Sequence, residues 1–283
     1  MVYECHGHII LDGVTYAGAV ARHGSRLDES FIRENLRICA GYGIKFYRDG
    51  GDKHGASVFA KKFAGEYGID YRTPAYIIHK KGYYGSMFGK AFDSMPDYRK
   101  LVAEVKRLGA DFVKTTASGL LDFADGGSVK GPALAQEELI GMVSIAHGEG
   151  LAVMIHANGA DNIKRAVESG ADSIEHGFYM DASALRMMAQ TGAVWVPTCA
   201  TVVNLIGSGL FNDNVLHMIL DKHKTTLAEA SKIGCLTACG SDAGAVRVLQ
   251  GKGAIDELAV FESLGIDPDP GNRKIEEVFI NKC

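Results

Sequence analysis

Short β-rich runs alternate with amphipathic helical stretches along the whole chain, and a glycine marks most returns from helix to strand. Strand-like runs fall at 2–9, 44–48, 75–79, 112–116, 152–156, 173–176, 193–197 and 236–240, which makes eight. Helical periodicity marks 29–42, 55–67, 96–108, 135–149, 160–169, 181–191 and 213–233, with Gly43, Gly68, Gly109, Gly150, Gly170, Gly192 and Gly234 at the turns. A helix between two strands carries the chain back to the same edge of the sheet, so such strands run parallel. The pattern predicts an α/β protein of the (β/α)8 TIM-barrel type. A doubly wound open sheet would want a GxGxxG turn after its first strand, and none follows His8. At 283 residues, 47% of them hydrophobic, the chain suffices for one barrel domain over 1–283, and no Pro- or Ser-rich linker divides it. Beyond 254 the pattern predicts a helix at 255–264, a turn around DPDPGN, and a short strand or helix at EEVFI.

Charge narrows the range of partners. The net charge is −4 with both signs interspersed, which leaves no electrostatic footprint for nucleic acid or an anionic membrane surface. A small-molecule substrate is the default expectation, with room for a homo-oligomer. No apolar run approaches the roughly 20 residues of a membrane helix. The N-terminal MVYECHGHII lacks the basic and apolar regions of a signal peptide, so a cytoplasmic location is expected. Cys5, Cys39, Cys199, Cys235, Cys239 and Cys283 are scattered without CxxC pairing and read as reduced thiols. Cys5 stands apart because it adjoins His6, where a soft sulfur could ligate a metal.

Polar signatures cap the strand-like runs. His6 and His8 lie two apart on the first run, so both imidazoles emerge on one face. Lys114 lies in the fourth run (FVKTTASG), His156 closes the fifth (VMIHANG), His176 closes the sixth (SIEHG), and Asp242 follows the eighth (CGSDAG). Strand C-termini of a barrel open into one shared mouth, where neutral imidazoles and carboxylates can hold a divalent metal together. An HxH pair alone is weak evidence; the ordered set is much stronger.

These residues carry a resemblance to the amidohydrolase superfamily of metal-dependent hydrolases. The run LAVMIHANGADNIKRAVESGADSIEHGFYMDASALRMMAQTGAVWVPT is similar to the branch of imidazolonepropionase and Xaa-Pro dipeptidase (prolidase), and the likeness extends from ECHGHI to GSDAG. The resemblance implies two divalent ions, zinc by expectation. His6, His8 and Asp242 would hold one and His156 and His176 the other, with Lys114 carboxylated and bridging them. A free ammonium offers only donors, whereas a carbamate supplies two anionic oxygens. Asp242 would double as general base, His176 is a candidate for oxyanion help, and Lys114 completes the catalytic set. The HxH run lies at the N-terminus, so the family's small β-sandwich is expected to be lacking.

The implied activity is hydrolysis of a C–N amide bond in a small molecule such as a dipeptide or N-acyl amino acid. The alternative is a mononuclear cyclic amidase or deaminase similar to imidazolonepropionase, and a third possibility is a barrel whose site has degraded. For substrate binding, Arg48, His79, Tyr83, Tyr84 and Arg247 fall after the second, third and eighth runs, with Lys130 and Asn158 weaker candidates. Arg48 could equally pair with Asp49, and the two tyrosines could be packing. Asp172 and Glu175 read as structural. His23, His54, His147, His217 and His223 have no strand-end placement.

Overall fold

The computed structural model describes residues 1–124, 126 and 128–280. Its strands are β1 (Val2–Gly7), β2 (Ile44–Asp49), β3 (Asp70–Arg72), β4 (Ile77–Lys80), β5 (Gly89–Phe92), β6 (Phe112–Thr116), β7 (Ala152–Ala157), β8 (Ser173–His176) and β9 (Val194–Val196). Every pairing between them is parallel, in the orders β1-β2-β3 and β5-β4-β6-β7-β8-β9. The predicted eighth run bridges the two sheets. Leu236 O accepts from Trp195 N and Ala238 N donates to Trp195 O, both at 2.9 Å, while Cys239 O accepts from Cys5 N at 2.8 Å and Asp242 N donates to His6 O at 2.7 Å. This is the (β/α)8 barrel that the alternation implies.

Three elements differ from expectation. The run 75–79 is the second half of a stave broken into β3 and β4, because Pro74 cannot donate to a ladder and Ala75 sits at φ 63°. Asp111 fastens the break: its Oδ2 accepts from Thr73 N at 3.0 Å and its N donates to Thr73 O at 2.8 Å. β5 is an added strand on the outer edge of β4 that no periodicity marks. The expected turn at DPDPGN instead opens a helix, Asp269–Val278, since Pro270 stands in its first turn where a missing N–H costs nothing.

The helices start where side chains satisfy the free N–H groups of a first turn. Asp28 caps Phe31 N, Ser94 caps Asp97 N and Asp181 caps Ala184 N. Gly192, at φ 73°, ends the Ala182–Thr191 helix in a left-handed conformation that a side chain would strain. Each helix turns an apolar face toward the strands, as Tyr98, Val102 and Val105 do from Met95–Arg107. Below the strand ends that carry the polar signatures, Phe46, Phe112, Met154, Val194 and Val196 pack with Ile275 and Phe279, which close the floor. Strand alternation puts Phe112 on the face of Lys114, Met154 on that of His156 and Ser173 on that of Glu175. The barrel interior is therefore layered, apolar below and polar above.

Candidate metal centre

His6, His8, Lys114, His156, His176 and Asp242 all line one cavity of about 650 Å³. His6, His8 and Asp242 offer ligand atoms within 4.8 Å of one another. His6 Nε2 lies 3.8 Å and His8 Nε2 3.7 Å from Asp242 Oδ1. Lys114 Nζ is 3.3 Å from His6 Nε2. The His176 ring stands 4.9 Å from that of His6 and 4.6 Å from that of His156, centroid to centroid.

Partners on the far side of three imidazoles decide which nitrogen faces the centre. His6 Nδ1 donates to Glu175 Oε2 at 2.7 Å, which leaves Nε2 with its lone pair toward Lys114 and Asp242. His156 Nε2 must donate to the carbonyl of Gly119 at 2.9 Å, which leaves Nδ1 bare. His176 Nδ1 pairs with Thr198 Oγ1 at 2.9 Å and frees Nε2. An imidazole that donates through one nitrogen to a carboxylate, carbonyl or hydroxyl is oriented and made more basic at the other, as metal ligation needs.

The electrostatics agree. Burial first, and the Lys114 cation next, hold His6 well below the usual imidazole value and bring His8 down to about 3. Burial lowers His156 to about 4, and burial with the neighbouring His156 lowers His176 well below its usual value. All four rings are therefore neutral at ordinary pH, the form that ligates. Burial also pulls Lys114 down to about 8, against the attraction of Glu175, and pushes Asp242 up to about 6, against that of Lys114. The donor set of four imidazoles and one carboxylate suits zinc-like divalent ions.

Backbone strain is concentrated at the same place. His176 (φ 67°), Thr198 (φ 50°) and Asp242 (φ 61°) occupy the left-handed region that non-glycine residues avoid. For His176 the purpose is geometric. A regular strand sends Glu175 and His176 to opposite faces, yet both meet His6, one by hydrogen bond and the other ring to ring.

Arg48 is the principal correction to the expected substrate-binding set. It is fully buried beneath the cavity and pairs with neither substrate space nor Asp49. Its Nε donates to Cys5 O at 2.7 Å, Nη1 to Ser173 Oγ at 2.8 Å, and Nη2 to Glu175 Oε1 and Oε2 at 2.9 and 3.0 Å. Glu175, which reads from sequence as structural, thus links Arg48 to His6. His79 is buried with Nδ1 3.0 Å from Lys80 O, Tyr83 packs under the Lys80 ammonium, and Arg247 is exposed. None of these four is among the residues lining the cavity; Tyr84 and Asn158 are. Tyr84 lies 4.7 Å from the His156 ring, centroid to centroid. Lys130 is ion-paired with Asp122 at 2.8 Å. Cys5 Sγ faces Asn272 Oδ1 at 3.6 Å rather than the centre, and Cys283 lies outside the described residues. Thr198 and the Gly119 carbonyl carry no sequence signal, since only the folded loops bring them to the imidazoles.

The amidohydrolase family model matches residues 9–273, and the chain belongs to that family. An uncharacterized protein of Mycobacterium bovis is 27% identical over 141 residues, 48% of this chain and 38% of that protein, so the match spans well under half of the relative. Among solved structures, an Xaa-Pro dipeptidase with bound methionine is similar at TM-score 0.74 and 23% identity, over 98% of this chain and 72% of that one. Phenylurea hydrolase B is similar at TM-score 0.77 and 15% identity, over 99% and 75%. No helix among the described residues is long and apolar enough to cross a membrane.

Proposed function

We propose that this chain hydrolyses an amide C–N bond of a small molecule with divalent metal, zinc by preference. His6, His8 and Asp242 would hold one ion and His156 and His176 a second, with Lys114, as its carbamate, a ligand that the two would share. The observation that carries this reading is that Glu175, Gly119 and Thr198 each engage one nitrogen of His6, His156 and His176, three rings that line one cavity, and so leave the other nitrogen for a ligand role. Bound there, the ions supply Lewis acidity toward a water and toward the scissile carbonyl.

The chain's own groups manage the proton. Asp242 takes it from the attacking water and delivers it to the departing nitrogen, which would otherwise leave as an unfavourable anion. Its left-handed backbone aims the carboxylate at the space beside His6 and His8. Tyr84, whose phenol is kept protonated by burial, is the neutral donor at hand for a carbonyl oxygen.

Metal analysis of the purified protein is expected to give about two divalent ions per chain. A Lys114→Ala variant is expected to lose one or both, and retention of two at full occupancy would end the bridging role. The compact set of His6, His8 and Asp242 favours a second reading, a mononuclear cyclic amidase or deaminase. One tightly held ion in the wild type, with turnover of cyclic amides, would select it.

A further inference from the structure

Among the described residues that line the cavity above the metal centre, none is a counterion for a charged substrate. Apart from the six centre residues, its described lining is apolar or uncharged: the polar members are Thr15, Tyr16, Tyr84, Thr116, Asn158 and Thr201. A dipeptide or N-acyl amino acid brings a carboxylate, and a dipeptide an ammonium as well. Burying either group without a partner costs several kcal/mol or more, and proteins avoid it. The described cations nearest in sequence to the lining are engaged elsewhere or exposed: Lys90 with Glu104, Lys80 with Glu138, Lys81 with Asp93, and Arg247 outside the lining.

The apolar character continues to the rim. Val14, Leu120, Leu210, Phe211 and Val246 line the cavity and remain between 38 and 64% exposed, an unusual concentration of large apolar side chains on a surface. Phe123 and Phe211, from loops about ninety residues apart in the chain, meet at a ring separation of 5.3 Å. A volume of about 650 Å³ suits a drug-sized organic molecule. Resting on the hydrolase reading above, we infer that the substrate is an uncharged amide with apolar, preferably aryl, groups on both sides of the scissile bond, and that Phe123 and Phe211 hold the outer group.

The test is a matched pair that differs only by a carboxylate, N-benzoylphenylalanine and N-(2-phenylethyl)benzamide. Binding is measured by calorimetry on the zinc-loaded and metal-free protein, and turnover is measured separately. The neutral amide is expected to bind at least ~10-fold more tightly in both forms. A Phe211→Ala variant is expected to weaken the neutral amide ~10-fold or more while leaving metal content unchanged, and Arg247→Met to leave the preference intact. Equal or tighter binding of the acid, or no binding of the neutral amide, overturns the inference. Hydrolysis of neither compound, with the binding order as expected, removes the hydrolase reading and leaves the pocket assignment standing.

Discussion

Replacing Arg48 by methionine should destabilise the protein by about 3–5 kcal/mol, because it breaks a fully buried ion pair from one side. Four hydrogen bonds from the guanidinium disappear at once, to Cys5 O, Ser173 Oγ and both oxygens of Glu175. Methionine roughly fills the volume against Phe279, whose ring lies 4.4 Å from the guanidinium carbon, so the cavity contribution is small. What dominates is the Glu175 carboxylate, left buried with only the Ser173 hydroxyl at 2.5 Å and the His6 imidazole at 2.7 Å. Glu175→Gln strands the guanidinium instead and costs a similar amount, and it also deprives His6 of an anionic partner. The double variant removes both charges and should therefore cost clearly less than the sum of the singles. Urea unfolding of the three variants, read as midpoint shifts at unchanged slope, measures each cost. Metal titration adds a second readout, since Glu175→Gln should weaken the His6 ion about 10–100-fold. A cost for Arg48→Met below about 1 kcal/mol, or strict additivity in the double variant, would refute the reasoning.

Other outcomes follow from the same geometry. A methyl at Gly50 would stand 2.2 Å from His8 Cε1 and 2.5 Å from its Nε2, so Gly50→Ala should displace the imidazole and lower metal occupancy at the His6, His8 and Asp242 set. Full occupancy in a folded Gly50→Ala protein would show that His8 is not a ligand. Glu257, buried and bonded to Ala200 N at 2.7 Å, is pushed up to about 8 by burial. An unfolded glutamate titrates near 4.3, so between about pH 4.3 and 8 the unfolded chain has released a proton that the native chain still holds. That contribution to stability therefore falls as pH rises through this window. Glu257→Gln should gain on the wild type from about pH 5 to about pH 8 in urea midpoint, and a pH-independent difference would contradict the buried, protonated carboxyl.

The barrel was legible from sequence because its signal is periodic and spread over the whole chain, so that breaking one stave at Pro74 or missing β5 does not change the answer. The strand-end residues His6, His8, Lys114, His156, His176 and Asp242 were legible for a related reason: topology alone sends parallel strand ends to one mouth. Arg48 was not. A guanidinium at a strand end looks the same in sequence whether it faces solvent or lies under the site, and only the layering of Phe112, Ser173 and Glu175 decides between them. Glu175 was hidden by the rule that makes strands readable, because alternation assigns it and His176 to opposite faces. His176 departs from that rule through its left-handed backbone, and the departure is what lets two consecutive residues both reach His6, one holding its far nitrogen and the other facing the same centre. Residues that break a local rule without any gain in packing are where functional geometry is expected, so strain at His176, Thr198 and Asp242 is independent support for the centre that the motif residues mark.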